Sequence, residues 1–199
     1  MSAHWLGAGY VIAPALVVLA IIAVTGVRGG LPAALLALRL AVVAYAAGII
    51  AASFFPLPLP PYQPDSSISL VGVNLVPLKT ISESLRMGIA WPVARVMAGN
   101  LLAFMPLGLL LPVLAYRPLA SLVLLVGLGV SGAIEVTQGV LTTAMGIPYR
   151  IADVDDILLN VVGVAFGLAS FRLGRRLLRH EVRTRRDPRL IGLLRAIED

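Results

Sequence analysis

The chain reads as an all-α membrane protein, a bundle of about five transmembrane helices with its N-terminus outside and its C-terminus in the cytoplasm. Three observations carry this reading. Hydrophobic residues make up 59% of the 199 residues and charged residues 13%, with a mean hydropathy of +0.94. A soluble domain of this size holds roughly 45–50% apolar and 25% charged residues, and could not hide so much apolar surface. Five stretches approach the ~20 apolar residues that cross ~30 Å of hydrocarbon. The positive charge is also uneven: of a net +6, residues 172–199 carry nine arginines against four acids, or +5. These counts exclude a soluble enzyme, a disordered chain and a disulfide-stapled secreted domain.

The spans are expected at Tyr10–Val27, Ala33–Phe55, Val96–Ala115, Leu119–Leu141 and Ile151–Phe171. No positive charge precedes the first, which suits translocation and argues against a cleaved signal peptide. Arg28 and Arg117 fall in turns that would face the cytoplasm, and Arg39 can snorkel to that side. Trp5, Tyr10, Phe54, Phe55, Tyr62, Trp91 and Tyr149 would then form an outer aromatic belt. Residues 1–171 therefore read as one transmembrane domain, with an outer loop at about 56–95. Residues 172–199 read as a basic cytoplasmic tail. The tail follows a span directly and has no aromatic residue for base stacking, so it reads as a topology anchor on the anionic leaflet and not as a nucleic-acid site.

The outer loop opens with the stiff run Pro56-Leu-Pro-Leu-Pro-Pro61. Lys79–Ile89 then reads as a short amphipathic helix that lies flat on the surface or folds over the bundle. Thr80 and Glu83 have capping-box spacing, and Ile81, Leu85 and Ile89 share a stripe. In span three, Pro106 should kink the helix. Gly127, Gly129 and Gly132 in span four, and Gly163 with Gly167 in span five, favour close helix packing.

Polar residues gather at one side of the membrane. Asn74 and Lys79 lie in the outer loop, Asn100 starts span three, and Glu135 and Gln138 end span four. Arg150, Asp153, Asp155, Asp156 and Asn160 start span five. Ser131, Glu135 and Gln138 are spaced i, i+4, i+7 and share a helix face; so, read as helix, do Asp153, Asp156 and Asn160, with Asp155 pointing away to solvent. A charge inside a span costs roughly 2.5–3.5 kcal/mol on insertion scales, which makes such residues candidates for function. The candidate ligand-binding set is Asn74, Asn100, Glu135, Gln138, Arg150, Asp153, Asp156 and Asn160, lining a polar pocket in the outer leaflet. Three chemistries stay open: a divalent cation held by carboxylates and amides, general acid–base work by Glu135 or Asp156, or recognition of a head group without chemistry. A purely structural hydrogen-bond network is the fourth reading. With no cysteine and only His4 and His180, thiolate, zinc–cysteine and HExxH chemistry are excluded.

Four segments carry a resemblance. Asn74-Leu-Val-Pro-Leu78, Gly99-Asn-Leu-Leu-Ala-Phe-Met-Pro-Leu-Gly108, Ser131-Gly-Ala-Ile-Glu-Val-Thr-Gln138 and Arg150-Ile-Ala-Asp-Val-Asp-Asp-Ile-Leu-Leu-Asn-Val-Val-Gly163 occur in this order over about 90 residues. In them the chain resembles the VanZ-like family of small bacterial membrane proteins. It departs at Leu78, where phenylalanine is commoner, and at Val161, where a small polar residue is expected. The resemblance implies a multi-pass protein of the bacterial cell membrane. It further implies an association with antibiotic resistance, through susceptibility to teicoplanin, a lipid-tailed glycopeptide. The expected partners are membrane lipids and a lipid-linked cell-wall precursor or lipoglycopeptide. The alternative is an intramembrane hydrolase or transferase working through Glu135 and Asp156, or a structural membrane subunit.

Overall fold

The computed structural model describes residues 5–60, 73–88, 91–115, 119–147 and 149–185. In chain order these form β1 (Trp5–Leu6), α1 (Gly9–Arg28), α2 (Ala33–Phe54), β2 (Leu57–Pro58), β3 (Val73–Asn74), α3 (Lys79–Arg86), α4 (Trp91–Leu114), α5 (Ala120–Met145), β4 (Ala152–Asp153) and α6 (Val154–Arg185). The helices α1, α2, α4, α5 and α6 are each long and apolar enough to cross a membrane. The protein is an all-helical multi-pass membrane protein.

The helix ends differ from the expected spans where hydropathy and helix propensity part. Helix α4 starts at Trp91, five residues before the expected span, and α5 runs on to Met145. Helix α6 continues to Arg185, well past Phe171, because arginine is a good helix former even where hydropathy falls. At 1.5 Å per residue its 32 residues reach about 48 Å, beyond the hydrocarbon thickness. Tyr62, Ile89, Arg117 and the last part of the basic tail lie outside the described residues.

The chain divides into two compact units, Met1–Val73 with Val136–Ala152, and Asn74–Glu135 with Asp153–Asp199. In the first, α1 and α2 form a hairpin. Gly26, the buried residue of α1, sits under Leu36, where a Cβ would come within 2.7 Å of that side chain. Most of the apolar surface of α1 and α2 faces outward, as a lipid-facing hairpin requires. The strands β1 and β2 pair antiparallel, Trp5 opposite Pro58 and Leu6 opposite Leu57, so part of the proline run is held as a strand by residues far from it in sequence.

In the second unit α4 and α6 run parallel with their backbones touching. A Cβ added at Gly163 would strike the Leu101 carbonyl, one at Gly167 the Met105 carbonyl, and one at Gly108 the Val164 carbonyl. This is the close approach that small residues allow between helices in lipid. Gly127 of α5 packs on the Val164 side chain, but Gly129 and Gly132 meet nothing within 4 Å among the described residues. The expectation of three packing glycines in α5 is therefore corrected to one: the other two lie off its buried stripe. Phe104, Val123, Val164 and Leu168 form the buried apolar core. Helix α4 is unbroken through both Pro106 and Pro112.

Candidate functional site

The buried face of α5 changes chemistry along its length. Val123 and Gly127 give way to Ser131, Glu135, Gln138 and Thr142, all buried and at helical spacing. Thr142 extends the Ser131–Glu135–Gln138 stripe by one more turn, at the same spacing in the sequence.

In the first unit the polar residues converge on the C-terminus of α2. The last carbonyls of a helix have no partner in the helix and carry partial negative charge. Here Gln138 Nε2 donates to the Ser53 carbonyl at 2.8 Å, and the Tyr149 hydroxyl donates to the Phe54 carbonyl. Arg150 Nη2 donates to the carbonyls of Ala52 and Phe55 at 3.3 and 3.4 Å. Thr142 Oγ1 donates to the Arg150 carbonyl at 2.7 Å and accepts the Arg150 N–H at 3.0 Å, which fixes the residue that carries the guanidinium. Gln138 and Arg150 are thus engaged in capping a helix end. Tyr149, expected only as part of an aromatic belt, belongs to the same cap.

In the second unit the carboxylates serve the opposite end of a different helix. Helix α3 begins after Leu78, a non-glycine residue in the left-handed region with φ of 63°. The Asp155 carboxylate accepts the Leu78 N–H through one oxygen and the Ile81 N–H, at 3.1 Å, through the other. It thereby satisfies donors at the positive end of α3, from a position more than 70 residues away in the chain. Asp155 is 1% exposed, so the expectation of a solvated Asp155 is overturned. The reason is local: α6 starts at Val154, Asp153 is extended in β4, and the helical spacing that turned Asp155 outward does not apply. The Thr80–Glu83 capping box does not form either. Thr80 donates instead to Asp153 Oδ2 at 2.6 Å.

Asp153 is the hub. Its Oδ1 accepts Asn74 Nδ2 and the Asp155 N–H, both at 2.9 Å, and its own N–H donates to Glu135 Oε2 at 2.9 Å. Asn74 Oδ1 accepts the Val76 N–H at 3.2 Å, closing the turn that leads to Leu78. One helical turn from Glu135, Ser131 Oγ accepts Asn160 Nδ2 at 2.8 Å. Asp156 lies half-buried in the first turn of α6 and makes an interaction of its own.

Beside this cluster two amide atoms are left over. Asn160 Oδ1 and Asn100 Nδ2 are buried and have no hydrogen-bond partner among the described residues. Asn160 is 4% exposed, and Asn100 is half-buried. Asn100 precedes Leu101 and Asn160 stands one turn before Gly163, so both lie near the point where Gly163 meets the Leu101 carbonyl. One is an acceptor and the other a donor. Of the eight candidate residues, hydrogen bonds join Asn74, Asp153 and Glu135; Asn160 joins α5 through Ser131; Gln138 and Arg150 belong to the α2 cap. Among the described residues no three His, Asp or Glu side chains converge to hold a metal ion.

Neither the curated proteins nor the solved structures compared with this chain include a match. A family model described as VanZ/LLP1 matches residues 42–175, an extent that leaves out α1 and includes every residue of both polar clusters. Covering two thirds of the chain, that match makes it a member of the VanZ/LLP1 family.

Proposed function

We propose that this protein binds the head group of a lipid-anchored molecule in the outer leaflet of a bacterial cell membrane, and thereby lowers susceptibility to teicoplanin-type, lipid-tailed glycopeptides. The observation that carries the reading is the orphaned amide pair, Asn100 Nδ2 and Asn160 Oδ1. An unmet buried polar atom costs about 1–3 kcal/mol, and more in hydrocarbon. A hydroxyl or amide that accepts from Asn100 and donates to Asn160 removes that cost. Ser131 of α5 holds Asn160, Glu135 stands one turn further along α5, and Asp156 stands one turn before Asn160 on α6.

The arginines support the outer placement. Arg172, Arg175, Arg176 and Arg179 occupy the far half of α6 and favour the cytoplasmic side. Asn160 lies twelve residues earlier than Arg172, about 18 Å along the helix, toward the other leaflet. The binding reading needs no turnover. The competing hydrolase or transferase reading needs Glu135 free to act, whereas its Oε2 already receives the Asp153 N–H.

The test is the inhibitory concentration of teicoplanin and of vancomycin in a susceptible Gram-positive host. It would carry empty vector, wild type, Asn160→Leu or Glu135→Gln, with membrane levels matched. A rise for teicoplanin that Asn160→Leu abolishes supports the head-group site. A rise that survives Asn160→Leu, or no rise with well-expressed wild type, overturns it. Loss with Glu135→Gln while a bound lipid still co-purifies would move the reading to the enzyme.

A further inference from the structure

The described residues from Asn74 to Trp91 expose apolar side chains that the rest of their unit does not cover. Leu75, Val76, Leu78, Leu85, Met87 and Trp91 are each more than half exposed, Met87 by 80%. The segment is also firmly held. Asp155 caps α3, Asp153 binds Thr80 and Asn74, and Ser84 Oγ donates to the Thr80 carbonyl at 2.6 Å. Helix α3 ends at Arg86, and Gly88 two residues on has a φ of +75°, the left-handed turn that glycine adopts freely.

At 100° per residue, α3 has three faces. Thr80, Ile81 and Ser84 turn toward the protein and are half-buried or buried. Leu85 stands on an exposed stripe, and Leu78, in the left-handed turn that leads into the helix, is exposed as well. Lys79, Glu83 and Arg86 fall on another, about 110° further round, and are exposed. An exposed apolar edge beside a charged edge is the arrangement of a helix lying in a membrane interface. From Val73 to Arg95 the charges are Lys79, Arg86 and Arg95 against Glu83, a net of +2.

We infer that the described residues of Asn74–Arg95 form an interfacial platform whose occupant is anionic phospholipid. Leu78, Leu85 and Met87 enter the acyl boundary, while Lys79 and Arg86 hold the phosphates of the headgroup layer. The platform is distinct from the Asn100–Asn160 site and does not depend on it. Its capped, rigid mounting means that lipid contact at α3 bears directly on Asp153 and Asp155.

The test uses full-length protein carrying Met87→Trp, Trp5→Phe and Trp91→Phe, so that a single indole reports from the end of α3. Both native tryptophans are more than half exposed, and their replacement removes no core contact. The protein is reconstituted into vesicles of brominated phosphatidylcholine or brominated phosphatidylglycerol. The inference expects strong quenching by both lipids, and a preference for the anionic lipid of about fivefold for each cation engaged. Lys79→Gln with Arg86→Gln should bring the two lipids to parity. An indole that brominated lipid leaves bright and aqueous iodide quenches would overturn the platform. Equal quenching by the two lipids, unchanged in the double variant, would overturn the anionic partner.

Discussion

Asp155 shows how one side chain settles a stretch of backbone. Leu78 stands in a left-handed conformation that costs a non-glycine residue roughly 1–2 kcal/mol. Charge-assisted hydrogen bonds are worth about 1.5–3 kcal/mol each, enough to hold it. Asp155→Asn leaves a single oxygen for two N–H donors and loses the charge that faces the positive end of α3. We expect a loss of about 1–3 kcal/mol, confined to the platform. Hydrogen exchange should speed up at the Leu78 and Ile81 amides and stay slow across α4 and α6. Uniform acceleration through the helices would mean that Asp155 holds up the whole unit and not one helix end.

The elements divide the polar residues by helix dipole. Cationic and neutral donors, Arg150, Gln138 and Tyr149, meet the negative end of α2, and carboxylates meet the positive end of α3. Tyr149 and Arg150 of the short chain between α5 and α6 cap α2, and Asp155 in the first turn of α6 caps α3. Helix packing makes an equally sharp distinction among glycines. Gly167→Leu drives a side chain into the Met105 carbonyl and must push α4 and α6 apart, at about 1–3 kcal/mol or more. Gly129→Ala meets nothing and should stabilise α5 by up to about 1 kcal/mol. Thermal unfolding in detergent compares them. Equal effects at the two sites would contradict the backbone contact described for α6.

For the molecule as a whole the open question is topology, and the absence of cysteine makes it accessible. Thr143→Cys, near the end of α5, should react with a membrane-impermeant maleimide in intact cells. Gly174→Cys, among the arginines of α6, should react only after permeabilisation. Both positions are exposed. The reverse pattern would place the polar clusters on the cytoplasmic side and remove the outer-leaflet basis of the proposed function.

Span number and helical class were legible in the chain, because hydrophobicity over ~20 residues is a local property that the bilayer reads directly. So was the Ser131–Glu135–Gln138 face, because a helix repeats every 3.6 residues whatever surrounds it. The partners of those residues were not. Asp155 looked solvated until β4 displaced the start of α6, and Thr80 looked like a local cap until Asp153, 73 residues away, took its hydroxyl. The β1–β2 pairing and the Gly163–Leu101 contact likewise join segments that no local pattern relates. Periodicity tells which side chains share a face. Which backbone groups need a partner, and which distant side chain reaches them, depends on where helices begin and end in space.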